Sequence, residues 1–205
     1  MDQKEKKFTV KQFVEMALLA AIILLLAFTP IGYIRTFGLE ITLIVVPVTV
    51  GAVTLGPAAG AVLGAVFGIT SFIQCFGMSP FGSVLLSISP INTFIVCVVS
   101  RVLMGWLTGL LYQCLKKVKS IRKISVVIAN LAGPLLNTFF FMGTLVLFFY
   151  NTEYIQGIAA SLGASNALMF VAAFVGVNGV IEAALCFVVG SAVSKALFAA
   201  LKTEG

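Results

Sequence analysis

The basic residues of this chain are gathered into clusters, and that gathering limits the fold more than any motif does. Eleven of the thirteen Lys and Arg residues fall in three places: Lys4, Lys6, Lys7 and Lys11; then Lys116, Lys117, Lys119, Arg122 and Lys123; then Lys195 and Lys202. Only Arg35 and Arg101 stand apart. Long apolar runs separate the clusters. Short loops rich in Lys and Arg stay on the cytoplasmic side of a membrane. All three clusters therefore share one side, which requires an even number of crossings between each pair. The composition agrees: 60% of residues are hydrophobic and 10% charged, against about 25% charged in a soluble domain. At about 20 residues per crossing plus short loops, the length suits about six spans.

The apolar runs predict those six spans at about 8–28, 41–55, 58–76, 90–115, 124–150 and 166–201. They form one integral membrane domain over residues 1–205, an all-α bundle of six transmembrane helices in the cell membrane with both termini cytoplasmic. The first run follows basic residues, as a signal peptide would, but Thr29-Pro30-Ile31 provides no small-x-small cleavage site, so it reads as a retained span. Thr29-Pro30 ends it, Gly56-Pro57 makes a tight turn, and Ser89-Pro90 starts the fourth span as N-cap and first helical residue. Pro134, with Gly133, predicts a kink in the fifth. The second run is short, and the sixth is longer than a bilayer needs.

Small residues mark where these helices approach closely. Gly56, Gly60, Gly64 and Gly68 recur every four residues, Gly105 and Gly109 do so on the fourth span, and Ala17 and Ala21 on the first. In lipid, helices associate through such bare ridges. The glycines read as packing within the chain. Ala17 and Ala21, near the cytoplasmic end of the first span, serve either packing or a docking partner.

Polar groups at membrane depth are the candidates for function. Arg101, Asn137, Asn178 and Glu182 lie at similar depths in the fourth, fifth and sixth spans. Arg101 and Glu182 either serve a ligand or pair with each other. Gln74 and Asn92 lie nearer the outer surface, and Tyr33 and Arg35 sit on the first outer loop, which could close over a ligand. On a straight helix Asn92 and Arg101 would point about 180° apart. Alternatives remain for each outer residue: helix capping for Asn92, interface anchoring for Tyr33, solvation for Arg35.

Several chemistries are excluded. The chain has no His, which removes Ser-His-Asp triads and His-ligated metals. The four cysteines, Cys75, Cys97, Cys114 and Cys186, form no CxxC and read as buried small apolar residues. No GxxxxGK[ST] is present, so ATP-driven work must come from a partner. No catalytic residue, metal or cofactor is expected. Nucleic-acid binding is disfavoured because the basic residues flank spans, where they meet anionic lipid.

With these features in view, the chain resembles the substrate-binding (S) components of energy-coupling factor (ECF) vitamin transporters over nearly its whole length. The resemblance rests on the basic N-terminus, the Ala17–Ala21 pattern, the stretch ITLIVVPVTVGAVTLGPAAGAVLGAVFGITSF at 41–72, RVLMGWLTGL at 101–110, and the stretch 131–145 with Asn137-Thr138. It implies capture of a vitamin or micronutrient from outside, partnership with a membrane coupling (T) component and two ATPase subunits, and reorientation in the membrane to release the cargo. It assigns Ala17 and Ala21 to the coupling-component interface. TPIGYI at 29–34 followed by LEITLIVVP is most similar to the pantothenate-type members. For such a cargo, Arg35 or Arg101 would meet the carboxylate, and Asn137, Asn178 and Gln74 the amide and hydroxyls. Riboflavin, a pyridoxine-type vitamin, a queuosine precursor and a cobalamin-type cargo remain open, as does a different class, a small channel or scaffold. An enzyme is disfavoured, since Glu182 is the only deep carboxylate.

Overall fold

The computed structural model describes residues 9–29, 33–36, 39–119 and 121–201; among these, the side chains at 33–36, 39–42, 123, 177–183, 185, 198, 200 and 201 lie outside the description. Helix α1 (Val10–Phe28) starts with a reciprocal cap: Thr9 Oγ1 accepts from the Gln12 amide at 3.3 Å, and Gln12 Oε1 accepts from the Thr9 amide at 3.0 Å. Its buried residues, Leu19, Ile23 and Ala27, repeat every four and form one stripe. Most of its remaining surface, including Val10, Phe13, Val14, Leu18 and Leu25, is exposed and apolar, as a lipid-facing helix requires.

An antiparallel hairpin follows, β1 (Tyr33–Thr36) with β2 (Leu39–Thr42), in which Arg35 stands opposite Glu40. The apolar pattern predicts a loop here running into a span at 41–55. Instead, β-branched Ile41 and Thr42 pair as a strand, and helix α2 covers only Val45–Thr54. Ten residues rise about 15 Å, half of a hydrocarbon core of about 30 Å. Such a half-length helix needs protein on all sides, and every residue from Val45 to Val53 is buried. Helices α1, α3, α6, α7 and α10 surround it. Pro47 sits in its first turn, where a missing N–H costs nothing.

Gly56 turns the chain at φ 103°, a conformation that excludes most side chains, and Pro57 opens α3 (Pro57–Gln74). Helix α4 (Pro80–Ile88) is short and capped by Ser79. A 28-residue apolar crossing, Pro90–Lys117, comes next. It is not one regular helix: α5 (Pro90–Phe94) passes through a π-helical turn (Ile95–Val99) into α6 (Ser100–Lys117). Helix α7 (Ser125–Phe149) runs through Pro134, which leaves the Asn130 carbonyl without its usual amide donor. Helix α8 (Glu153–Ser161) is capped by Thr152. The expected long last span is divided. Helix α9 (Ala167–Leu185) breaks at Gly176, whose φ of 36° is non-helical, and a second π turn (Cys186–Gly190) leads into α10 (Ser191–Leu201).

The chain is thus a helical, multi-pass membrane protein carrying one small hairpin. Four helices are long and apolar enough to cross a bilayer: Val10–Phe28, Pro57–Gln74, Pro90–Lys117 and Ser125–Phe149. The other two expected spans are shorter apolar pieces, because a strand takes the start of one and Gly176 interrupts the other.

The glycine ridge packs α3 onto α6. A Cβ on Gly60 would strike the Gly105 carbonyl, one on Gly64 the Arg101 carbonyl, and one on Gly68 would lie 2.6 Å from Val98 Cα. Gly109 reciprocates against Pro57 Cα at 2.6 Å. At one end of the bundle, Gln74 Nε2 donates to the Ala27 carbonyl at 2.6 Å, tying the last turns of α3 and α1. An aromatic cluster joins α4, α8 and α9: Phe81 of α4 lies 6.0 Å from Tyr154 of α8 and 5.8 Å from Phe174 of α9.

Candidate functional site

Arg101 is the second residue of α6, directly after the π turn. A π turn shifts helical hydrogen bonds from i−4 to i−5. Here the Val96 carbonyl accepts from Arg101 Nη1 at 2.8 Å and also from Ser100 Oγ, while Arg101 Nη1 reaches Ser100 Oγ at 3.0 Å. The guanidinium carbon stands 5.3 Å from the Phe67 ring of α3 and 4.6 Å from the Phe141 ring of α7. Each such stack is worth about 0.5–2 kcal/mol, more as water is excluded. Arg101 is 8% exposed. The cation is therefore held inside the bundle by two aromatic faces and its own helix, as an ionisable group at membrane depth requires.

The π turn also corrects the straight-helix reading of Asn92. One extra residue in a turn rotates everything beyond it by about 100°, so nine residues from Asn92 to Arg101 separate them by about 80° rather than 180°. Asn92 is half-buried in the first turn of α5, where its amide donates to Ser89 Oγ at 3.5 Å.

Asn137 lies one helical turn along α7 from Phe141, on the same face, about 6 Å along the axis from the residue whose ring stacks on Arg101. It is 8% exposed, and its Oδ1 is buried with no hydrogen-bond partner among the described residues. An unsatisfied buried acceptor costs about 1–3 kcal/mol, which a bound donor would recover. Beside this level, α7 and α9 enclose a groove of about 740 Å³, lined by Leu135, Phe139, Met142 and Val146 on one wall and Leu168 and Val175 on the other. Thr138, next to Asn137, carries the one hydroxyl among its described lining residues, and Gly176 lies on the α9 side.

The other expected site residues divide by depth and by description. Gln74 belongs to the end of α3, two turns beyond Phe67, with its amide nitrogen on Ala27. Tyr33 and Arg35 lie on β1, and Asn178 and Glu182 on α9 beyond Gly176; the side chains of all four are outside the described residues. Ala17 and Ala21 are exposed on α1, on the side away from its buried stripe. Three cysteines are buried as expected, but Cys114, near the end of α6, is exposed. Among the described residues no group of His, Cys, Asp or Glu is arranged to hold a metal.

Sequence reasoning missed Phe67, Phe141 and Ser100, which build the Arg101 pocket. Nothing in the sequence separates Phe67 and Phe141 from the other sixteen phenylalanines. Nothing in the sequence marked the π turn.

No curated protein matches the chain significantly. A family model described as the ECF transporter, substrate-specific component, matches residues 11–194. Members of that family are transporter subunits rather than enzymes, and membership implies association with a T component and ATPases in a membrane. With the match running from α1 into α10, this chain belongs to the ECF transporter substrate-specific component family.

Proposed function

We propose that the chain captures a vitamin-sized solute from outside the cell at the level of Arg101 and Asn137 and hands it to a coupling component, and that pantothenate is the cargo. The observation that carries this reading is a buried cation, stacked between Phe67 and Phe141, together with a buried acceptor, Asn137 Oδ1, one helical turn from Phe141 on the same face of α7 and without a donor among the described residues. Pantothenate matches that chemistry. Its carboxylate takes a charge-assisted bond from a guanidinium, and its amide N–H or a hydroxyl supplies the donor Asn137 lacks. Resemblance of the segments at 29–34 and 39–47 to pantothenate-type members supports the choice. Asn92, Gln74, Asn178 and Glu182, with Tyr33 and Arg35 on the hairpin, complete the proposed cargo-contacting set. The basic clusters support cytoplasmic termini, which puts the hairpin, α4 and α8 outside. The exposed pair Ala17 and Ala21 is the proposed docking point for the coupling component.

The test is mass spectrometry of small molecules that co-purify with the chain in detergent, from cells grown with a vitamin mixture. Pantothenate at one molecule per chain supports the reading in full. A different vitamin at that stoichiometry keeps capture and replaces the cargo. No retained solute, with no calorimetric response to any vitamin, removes the capture reading.

A further inference from the structure

The proposed capture site uses none of the four cysteines. Cys75 caps the end of α3, and Cys97 is the central residue of the π turn. Their Sγ atoms lie 3.8 Å apart. Both are buried, at 4% and 7% exposed, under Phe72, Leu86 and Val102. The backbone of α4 closes over them: a Cβ on Gly82 would fall 2.6 Å from Cys75 Sγ, and Ser83 Oγ donates to the Cys75 carbonyl at 2.9 Å. A single buried cysteine is an inert small hydrophobe. Two sulfurs brought into contact from 22 positions apart are a different object. A disulfide bond is about 2.05 Å long, so closure asks for about 1.8 Å of approach. Rotation of the two side chains about their Cα–Cβ bonds can supply it.

We propose that Cys75 and Cys97 form a dithiol oxidation site that hydrogen peroxide closes to a disulfide. One sulfur attacks the O–O bond, becoming a sulfenic acid and releasing one water. The second thiol then displaces the hydroxyl as another water and forms the S–S bond. Two thiols lose two protons and two electrons, and the peroxide is reduced to two waters. The apolar surroundings favour this small neutral oxidant over charged disulfides such as oxidised glutathione. The consequence reaches the Arg101 pocket. Cys97 follows Val96, whose carbonyl holds both Arg101 and Ser100, so the cross-link fixes α3 to the turn that positions the guanidinium. This site is independent of which cargo is bound.

The purified full chain in detergent is treated with hydrogen peroxide, denatured, and assayed for free thiols and linked peptides by mass spectrometry. The parent is expected to fall from four reactive thiols to two, with Cys75 and Cys97 in one cross-linked peptide, reversed by dithiothreitol. Its melting temperature should rise with the link and return on reduction. Cys75→Ala and Cys97→Ala, each eluting as the parent does, should show neither change. Retention of all four thiols by the parent, or a link that involves Cys114 or Cys186 instead, would overturn the proposal.

Discussion

Replacing Gly64 by alanine tests whether the α3–α6 contact is built on bare backbone. In an exposed helix Gly→Ala is favourable by about 1 kcal/mol. At Gly64 the added methyl falls onto the Arg101 carbonyl, and the next atom, Val102 Cα, is 3.2 Å away. Backbone cannot rotate aside as a side chain can, so the helices must separate by about 1 Å to regain ordinary contact at about 3.5–4.0 Å. Overpacking of this kind costs about 1–3 kcal/mol. Gly143 of α7 and Gly157 of α8 are internal controls, since a Cβ at either meets nothing within 4 Å. The expected gap between Gly64→Ala and Gly143→Ala is therefore about 2–4 kcal/mol. At about 2–4 °C per kcal/mol for a chain of this size, that is about 5–15 °C in melting temperature. Thermal unfolding of both variants in one detergent, followed by tryptophan fluorescence from Trp106, reads the difference. Equal melting temperatures for the two variants would refute the argument. Gly64→Ala should also weaken cargo binding, because the displaced carbonyl belongs to Arg101.

Three further outcomes follow from the same geometry. Cys114 is exposed while the other three cysteines are buried; in intact cells a membrane-permeant maleimide should label it and an impermeant one should not, and labelling by both would reverse the proposed orientation. Ala17→Trp should abolish co-purification of the coupling component and leave cargo binding unchanged; if the complex survives, this face of α1 is not the docking surface. Gln74→Leu removes the bond to the Ala27 carbonyl and should lower stability by about 0.5–1.5 kcal/mol, read as the shift in melting temperature against the parent.

Much of the architecture was legible because bilayer physics writes it into composition. The mid-chain charge cluster marked the turn between α6 and α7, and four apolar runs became the helices Val10–Phe28, Pro57–Gln74, Pro90–Lys117 and Ser125–Phe149 within a few residues. The glycine ridge was legible for the same reason: Gly60, Gly64 and Gly68 sit against backbone, as four-residue spacing on a membrane helix suggests. The misreadings share a cause. Hydropathy reports burial, not conformation, so Ile41 and Thr42 looked like the start of a span when they pair in a strand. The 166–201 run looked continuous because a positive φ at Gly176 leaves hydropathy untouched. The site shows the same limit. Arg101 stood out as an ionisable residue within an apolar run. The π turn that rotates Asn92 toward it, and supplies the Val96 carbonyl, arises from hydrogen-bond register and has no compositional mark.

Calorimetric titration of the isolated chain with the vitamin that co-purifies, on the parent and on Arg101→Ala and Asn137→Ala, tests the central claim most directly. The account predicts saturable one-to-one binding by the parent. It predicts a loss of at least about tenfold in affinity for Asn137→Ala, the effect of about 1.4 kcal/mol, and a larger loss for Arg101→Ala. Undiminished binding by both folded variants would contradict it and move the capture site away from this level of the bundle.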